Sequence, residues 1–261
     1  MIWSLMTLLP LPALTDNYIW MLHNGQEALV VDPGEAQPVL EALERESLTL
    51  HTILVTHHHG DHTGGVPNLR EATGASVYGP AHEKMPEPIT RLMEGDRVHA
   101  LGWDFTVIDV PGHTAGHIAF FAAPAAAKPL LFCGDTLFSA GCGRLFEGTP
   151  AQMLDSLHKL SSLPDDTRVC CTHEYTLSNL KFALAVEPGN QALADYDMHC
   201  RSLRANSTPT LPSNMLLERN INPFLRTHLS SVADAVQSHD AAGVAAAGVF
   251  ATLRQWKNTF Q

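Results

Sequence analysis

The sequence predicts a mixed α/β layered fold followed by a smaller helical region. Over the first two-thirds of the chain, short apolar or β-branched runs alternate with turn residues and a few helical segments. From about Leu177 onward helix-forming residues dominate, interrupted by a proline-bearing stretch at residues 208–223. These two sequence patterns indicate a sheet-containing part followed by a helical part.

The predicted strands are short, and most end in or just before Gly, Pro, Asp or His. They are residues 18–22, 28–31, 52–55, 76–78, 105–110, 118–121, 130–133 and 169–171. Predicted helices are residues 38–46, 66–72, 150–163 after the N-cap Thr149, and, in the helical tail, 190–205, 231–237 and 244–260.

Composition and charge narrow the classes of protein that this chain can represent. Of its 261 residues, 45% are hydrophobic and 16% are charged, which is typical of a folded globular protein. The formal net charge of −11 disfavours general nucleic-acid binding, because phosphate contacts require a basic surface. The start lacks a signal peptide's basic residues, and no apolar run approaches the ~18–20 residues that cross a bilayer. We therefore expect a cytoplasmic protein that binds neither nucleic acid nor membrane.

A cluster of potential metal ligands directly follows one of the predicted strands. Residues 56–62 read Thr-His-His-His-Gly-Asp-His. Along an extended segment His57 and His59 project to one side, and a turn at the glycine brings Asp61 and His62 toward a second point. Solvated loop histidines are the alternative explanation, but such clustering favours a metal site. Two pairs of ligands indicate two ions.

A site for two ions needs further ligands, and three later strand ends provide suitable residues. His113 follows a strand through a Pro-Gly turn, Asp135 follows a strand that ends in glycine, and His173 follows the last predicted strand. Each signal is weak alone, but all three repeat the arrangement of a ligand at a strand end. His117 is expected to support its loop or to begin the next strand rather than to bind metal.

These motifs resemble those of the metallo-β-lactamase fold superfamily. More narrowly, further segments resemble the glyoxalase II, or hydroxyacylglutathione hydrolase, family, and the similarity extends over nearly the whole chain. They are Thr-Asp-Asn-Tyr at 15–18, Val-Asp-Pro-Gly at 31–34, Gly-Cys-Gly-Arg-Leu-Phe-Glu-Gly at 141–148, Asn-Pro-Phe-Leu-Arg at 222–226 and Arg-Gln-Trp-Lys at 254–257. The resemblance implies a four-layer αββα sandwich in a catalytic domain of residues 1–172, followed by a smaller helical substrate-binding domain of residues 173–261.

The resemblance also implies a role for each candidate ligand. The expected ligands are His57, His59 and His113 for one ion, Asp61, His62 and His173 for the second, and Asp135 as the bridge between them. Nitrogen and oxygen ligands without thiolate suit zinc, iron or manganese. We expect two divalent metal ions per chain, with zinc favoured and iron or manganese as alternatives. Asp61 and Asp135 are expected to be catalytic as well, and whether Asp61 also accepts a proton stays open.

By the same resemblance, the expected reaction is hydrolysis of the thioester S-D-lactoylglutathione to D-lactate and glutathione, in the detoxification of methylglyoxal. Two cations that share a water lower its pKa, so that a metal-bound hydroxide is available near neutrality. A thiolate leaves without a strong general acid, and the sequence has no separate nucleophile motif. The expected partner is a small-molecule glutathione thioester, and no obligate protein partner is evident.

Residues expected to bind substrate match the family's contact segments and are Arg144, Phe146, Tyr175, Arg254 and Lys257. Arg254 and Lys257 lie three apart on a predicted helix and share a face, where both can reach one carboxylate. Without the resemblance, a solvated basic helix end is the preferred explanation of this pair. Phe146 occupies a position where the family often has tyrosine, so one hydroxyl contact is expected to be missing.

Other functions use the same motifs. A persulfide dioxygenase of this fold uses one iron, whereas the ligands for a second ion and the basic helical tail favour the hydrolase. A lactonase or phosphodiesterase would attack a different bond with the same hydroxide, although the acidic chain disfavours RNA as a substrate. A noncatalytic metal-binding relative is also an alternative, and the complete ligand set argues against it.

Overall fold

The first sheet contains six strands that follow one another in chain order. The computed structural model describes residues 6–260. The strands are β1 (Thr7–Ala13), β2 (Asn17–His23), β3 (Glu27–Val31), β4 (Thr49–Leu54), β5 (Ser76–Pro80) and β6 (Thr90–Leu92). β1, β2 and β3 pair antiparallel, and the pairs from β3 to β6 are parallel. Parallel neighbours place several strand ends at one edge of the sheet.

The connections of this sheet carry helices α1 (Gln37–Glu46), α2 (Gly60–Thr63) and α3 (Val66–Thr73). α1 and α3 have proline in the first turn and end at residues in the left-handed conformation, Ser47 and Gly74. Val39 on α1 and Leu69 on α3 are fully buried in a core that they share with residues of the sheet. Burial of these apolar faces is what stabilises the two helices against the sheet.

A short hairpin lies between the fourth and fifth strands, in chain order, of the second six-stranded sheet. The sheet begins with β7 (Arg97–Ala100), β8 (Trp103–Asp109), β9 (Ile118–Ala122) and β10 (Leu130–Gly134); the hairpin is β11 (Leu137–Phe138) and β12 (Gly141–Cys142); and β13 (Arg168–Cys171) and β14 (Ser213–Asn214) complete the sheet. Its spatial order is β14-β13-β10-β9-β8-β7. Phe105, Phe120 and Phe132, on three neighbouring strands, are fully buried.

The chain forms two compact units. The first contains most residues up to Asp109 together with Ala115–Gly134 and Cys170–His173, and the second contains Val110–Thr114, Asp135–Val169 and the chain from Glu174 onward. Helices of the second unit are α4 (Pro150–Ser161), α5 (Thr176–Val186), α6 (Gln191–Ala205), α7 (Met215–Ile221), α8 (Ser230–His239) and α9 (Ala241–Thr259). The expected domain boundary after residue 172 stays a prediction. Among residues 6–260, no helix is both long and apolar enough to span a bilayer.

Each predicted strand is present, with bounds that differ by a few residues. The sequence analysis did not predict β1, which contains Pro10 and Pro12, and proline is uncommon within strands. β1 lies at the edge of its sheet and pairs with β2 alone, with Pro10 opposite Trp20 and Pro12 opposite Tyr18. An edge strand tolerates proline because one side of its backbone needs no donor.

The predicted helices are also present, and Thr149 caps α4 through a capping box with Gln152. The proline-bearing stretch 208–223, for which no helix was predicted, contains α7. Asn214 caps that helix by accepting a hydrogen bond from the backbone N–H of Leu217. The predicted segment 244–260 lies within α9, where Gly248 has a φ of 84° and breaks the helical geometry.

Candidate metal centre

The histidine motif starts at the ends of two neighbouring parallel strands. β4 ends at Leu54, and the backbone N–H of Thr56 donates to Asp32 Oδ1 at 2.7 Å. The Thr56 hydroxyl donates to Asp32 Oδ2 at 2.8 Å. Asp32 directly follows β3 and has a φ of 52°. These two bonds tie the strand ends together, so the start of the motif has a fixed position.

Two predicted ligands, Asp61 and His62, lie on the one-turn helix α2. A Cβ atom at Gly34 would lie 2.1 Å from the carbonyl oxygen of Asp61, so this close approach requires glycine at position 34. Asn17 donates its side-chain N–H to Asp61 Oδ2 at 3.2 Å and to the Asp61 carbonyl at 3.3 Å. Asn17 therefore contacts both the carboxylate and the backbone carbonyl of Asp61, and Gly34 packs against that backbone.

The structure brings the predicted ligands of the first unit together. Asp61 Oδ2 lies 3.6 Å from His62 Nε2 and 3.5 Å from His173 Nε2. The ligand atoms of these three residues all lie within 4.8 Å of one another. His57 Nε2 and His59 Nδ1 approach to 3.0 Å, and the rings of His57 and His62 are 4.0 Å apart between centroids. Imidazoles and a carboxylate so arranged form a donor set for divalent ions.

Two carboxylates lie close to the Nδ1 atoms of two of the predicted ligand histidines. Asp32 Oδ2 is 3.1 Å from His62 Nδ1, and Asp16 Oδ1 is 2.8 Å from His173 Nδ1. A carboxylate at Nδ1 fixes the imidazole so that Nε2 faces the metal, and it raises the basicity of the ligand. The sequence analysis singled out the segments that contain Asp16 and Asp32 only for their resemblance. It gave neither residue a role, because nothing local shows that Asp16 meets a residue 157 positions later.

In the second unit, the predicted ligands His113 and Asp135 also meet. His113 Nε2 lies 3.3 Å from Asp135 Oδ2, and His113 Nδ1 lies 2.9 Å from the carbonyl oxygen of Arg144. A Cβ atom at Gly143 would lie 1.9 Å from the Asp135 carbonyl oxygen, so the chain returns closely past this residue. The carbonyl contact at Nδ1 leaves Nε2 of His113 directed at the Asp135 carboxylate.

The remaining histidines of the two motifs have other partners. His58 Nδ1 lies 3.0 Å from Glu83 Oε2. His117 directly precedes β9, and its ring stacks on that of His57 with centroids 4.6 Å apart and an interplanar angle of 19°. This placement agrees with the expected supporting role of His117.

Two of the residues expected to bind substrate are exposed aromatic side chains. Phe146 is 63% exposed, and its ring meets the His113 ring edge-on with centroids 5.2 Å apart. Tyr175 is 38% exposed and meets Phe138 edge-on at 5.4 Å. Both side chains offer apolar surface to a ligand, and Tyr175 adds a hydroxyl group.

Arg254 and Lys257, on α9, contact the backbone of their own unit. Arg254 is only 4% exposed, donates from Nη1 to the Cys142 carbonyl at 2.8 Å, and lies over the Phe224 ring at 5.0 Å. Lys257 donates from Nζ to the Ser178 carbonyl at 3.1 Å. Arg254 is thus part of the packed interior, and its expected contact with substrate stays a prediction.

The environment of Lys257 is unusual for a lysine. Burial, together with the positive charges of Arg254, Arg144 and Lys181, lowers the pKa of Lys257 to about 8, and the charge of Cys142 opposes this shift. Three other cations therefore lie within electrostatic reach of Lys257, in a chain whose net charge is −11. Such a local concentration of positive charge suits an anionic ligand.

The C-terminal part of the chain decides between the members of this fold. Residues 14–173 match the model of the metallo-beta-lactamase superfamily, and residues 174–260 match the model of the hydroxyacylglutathione hydrolase C-terminus. This chain belongs to the hydroxyacylglutathione hydrolase family. The hydroxyacylglutathione hydrolase of Albidiferax ferrireducens is 67% identical over 255 residues, which cover 98% of this chain and 100% of that protein. These matches confirm the predicted family and the predicted class of enzyme, a hydrolase.

Solved structures agree with the fold of a hydroxyacylglutathione hydrolase family member. The crystal structure of ETHE1 from Myxococcus xanthus has a TM-score of 0.64 at 23% identity and covers 96% of this chain and 99% of that one. At that identity the likeness shows the fold alone. The crystal structure of TTHA1623 in a di-iron-bound form has a TM-score of 0.55 at 31% identity and covers 63% of this chain and 91% of that one. The predicted metallo-β-lactamase fold class is confirmed.

Proposed function

We propose that this protein hydrolyses S-D-lactoylglutathione to D-lactate and glutathione, and so completes the removal of methylglyoxal. The observation that carries the proposal is the match of residues 174–260 to the hydroxyacylglutathione hydrolase C-terminus, in a chain with a complete set of predicted ligands. The full-length similarity to a protein of that name supports it. The acyl group follows from the family, and the cytoplasmic location stays a prediction.

The proposed metal assignment follows the family's ligand positions. We assign His57, His59 and His113 to the first ion, Asp61, His62 and His173 to the second, and Asp135 to the bridge. Two distances support this assignment in separate parts of the chain, those from Asp61 to His173 and from His113 to Asp135. The donor atoms fit zinc, iron or manganese, and the di-iron form of TTHA1623 shows that a similar protein holds two irons.

The chemistry divides between the ions and the residues around them. Divalent ions held by these residues would lower the pKa of a water molecule and polarise the thioester carbonyl. Asp61 is oriented by Asn17, and its side chain is 38% exposed, so solvent water reaches the carboxylate. Asp16 and Asp32 hold the Nδ1 atoms of His173 and His62, which keeps both Nε2 atoms available as ligands. Because the leaving group is a thiolate, no separate general acid is required.

The proposed glutathione site uses exposed aromatic rings and a cluster of cations. Glutathione carries two carboxylates, which an acidic protein binds only through local positive charge. We assign this role to Arg144, Arg254 and Lys257; after burial, the charges of Arg254 and Arg144 are the causes that lower the pKa of Lys257, which supports placing them in one site. Phe146 and Tyr175 contact the peptide portion, as their exposure allows. We propose no obligate protein partner.

Turnover and metal content, measured on the same sample, test this function. We expect purified protein to hydrolyse S-D-lactoylglutathione, to lose activity with a chelator, and to hold about two metal ions per chain by plasma emission. Asp61→Asn should reduce both metal content and turnover, whereas Asp104→Asn, at an exposed aspartate on β8, should change neither. One iron per chain with no hydrolysis would instead support a persulfide dioxygenase. Two ions with no hydrolysis of any thioester would support a noncatalytic relative.

A further inference from the structure

The segment from Asp135 to Arg144 has a proposed functional residue at each end. β11 and β12 pair between them, with Leu137 opposite Cys142, and the N–H of Gly143 donates to the Thr136 carbonyl at 3.1 Å. The segment is therefore a closed hairpin. Asp135 directly follows the buried strand β10, which fixes it independently of the hairpin. No regular element directly follows Arg144 in the described chain, so its position depends on the hairpin's shape.

The turn of this hairpin contains a residue in an unfavourable conformation. Ala140 has a φ of 55°, in the left-handed region that residues with a Cβ atom rarely adopt. Ala140 is fully buried, so its backbone N–H needs a hydrogen-bond acceptor within the protein. A backbone conformation of this kind persists only where the surrounding structure enforces it.

Glu218, on α7, is the side chain that enforces it. Its carboxylate is fully buried, and Oε2 accepts a hydrogen bond from the N–H of Ala140 at 2.9 Å. Oε1 accepts one from the Ser139 hydroxyl at 2.9 Å, and Ser139 Oγ lies 3.0 Å from the Tyr196 hydroxyl. Glu218 thus bonds to both residues at the centre of the turn. A buried carboxylate contributes little net stability compared with apolar packing, so its presence favours a role in selecting one conformation.

Asn222, which follows α7 directly, extends this network to both strands of the hairpin. Its Nδ2 lies 3.1 Å from the Phe138 carbonyl, 2.9 Å from the Gly141 carbonyl and 3.2 Å from Glu218 Oε2. Asn222 is fully buried and belongs to the Asn-Pro-Phe-Leu-Arg segment, to which the proposed function gives no task. Glu218 therefore fixes the turn directly and also orients the amide that holds the turn's flanks.

We propose that Glu218 is a positioning residue for substrate binding: it holds the turn at Ala140 and thereby places Arg144 in the glutathione site. This inference rests on the proposed function, since the substrate role of Arg144 belongs to it. Glu218 acts through the hairpin, so its loss weakens substrate binding more than it slows turnover. The neighbouring carbonyl of Arg144 also contacts His113 Nδ1, which makes metal content a necessary control.

The test replaces one carboxylate oxygen of Glu218 and compares this variant with a matched control variant. Glu218→Gln keeps the volume but replaces one acceptor oxygen with an amide N–H. That group either opposes the N–H donors of Ala140 and Asn222 or forces the Ser139 hydroxyl to change from donor to acceptor. Glu187→Gln removes a second buried carboxylate of the same unit, which binds Arg226 at 2.8 and 3.0 Å and Ser231 at 2.7 Å. Both variants are made in the full chain, loaded with zinc, and compared in KM, kcat, metal content and unfolding midpoint.

We expect Glu218→Gln to raise KM for S-D-lactoylglutathione about fivefold or more, with kcat and metal content within about twofold of wild type. Glu187→Gln should lower the unfolding midpoint without this rise in KM. Adding Ala140→Gly to the Glu218→Gln variant should return KM toward wild type, because glycine adopts the left-handed conformation without an enforcing contact. An unchanged KM in Glu218→Gln, an equal rise in Glu187→Gln, or no recovery in the double variant would each overturn the proposal.

Hydrogen exchange makes the test independent of activity. In the wild-type protein, the Ala140 amide should exchange as slowly as amides of the buried strand β10, because its acceptor is buried. In Glu218→Gln, the peptide containing residues 137–146 should exchange faster, and in Glu187→Gln it should not. Rapid exchange at Ala140 in the wild type would overturn the proposal even if the variant did not fold. A wild-type protein without thioesterase activity would overturn the proposed function, while exchange would still decide whether Glu218 holds the turn.

Discussion

Lys257 should make substrate affinity depend on pH in a range where an ordinary lysine does not titrate. Its ammonium group donates to the Ser178 carbonyl at 3.1 Å and lies 5.4 Å from the centre of the Phe182 ring. Burial, followed by the charges of Arg254 and Arg144, lowers its pKa to about 8. Below that pH Lys257 is charged and attracts a substrate carboxylate, and above it the attraction is lost. KM should therefore rise with pH.

The size of the effect follows from the fraction of Lys257 that is charged. A pKa of about 8 leaves about one half of Lys257 protonated at pH 8 and about one tenth at pH 9. If the bound carboxylate requires the cation, KM should rise about tenfold between about pH 7 and about pH 9. Substrate that binds Lys257 raises the lysine's pKa in the complex, so kcat should change less than KM.

The assay is steady-state kinetics across this range for the wild type and Lys257→Arg. Arginine stays charged throughout, so the variant should show a nearly constant KM. The substrate's own amino group titrates equally in both experiments, so its effect on KM cancels in the comparison. The reasoning would be refuted by a KM that rises equally in Lys257→Arg, or by one that does not rise in the wild type.

Three further substitutions, one of them with a matched control variant, test the site. Asp135→Ala should remove metal and turnover together, since Asp135 is the proposed bridge, and a variant with normal metal content and activity would contradict that assignment. Phe146→Tyr should lower KM about two- to tenfold at unchanged kcat, because one net hydrogen bond contributes about 0.5–1.5 kcal/mol; an unchanged KM would mean that no substrate acceptor lies within reach. Gly34→Ala should lower metal content, because its Cβ would lie 2.1 Å from the Asp61 carbonyl, whereas Gly60→Ala, with no atom within 4 Å of its Cβ, should bind metal normally. Equal metal loss in both glycine variants would show that the close contact at Gly34 is not the cause.

Sequence patterns determined the local structure and the chemical type of the site. The strand before His57 was readable because its run of apolar residues is buried in the sheet, and α4 because Thr149 and a following proline form a recognisable helix start. The candidate ligand residues could be predicted because each group of them follows a predicted strand in the sequence. Short elements such as β14 carried no such pattern, since two residues are too few to show a period.

Tertiary structure alone decided which distant residues meet. Asp16 lies against His173, 157 positions away, and Glu218 reaches Ala140, 78 positions away. It also decided that Arg254 is buried against the Cys142 carbonyl, although its sequence position equally fits a solvated helix end. The physical reason is that a local pattern constrains the backbone dihedrals and the available donor atoms. Contacts between distant residues, and the burial that shifts a pKa, depend on how the whole chain packs.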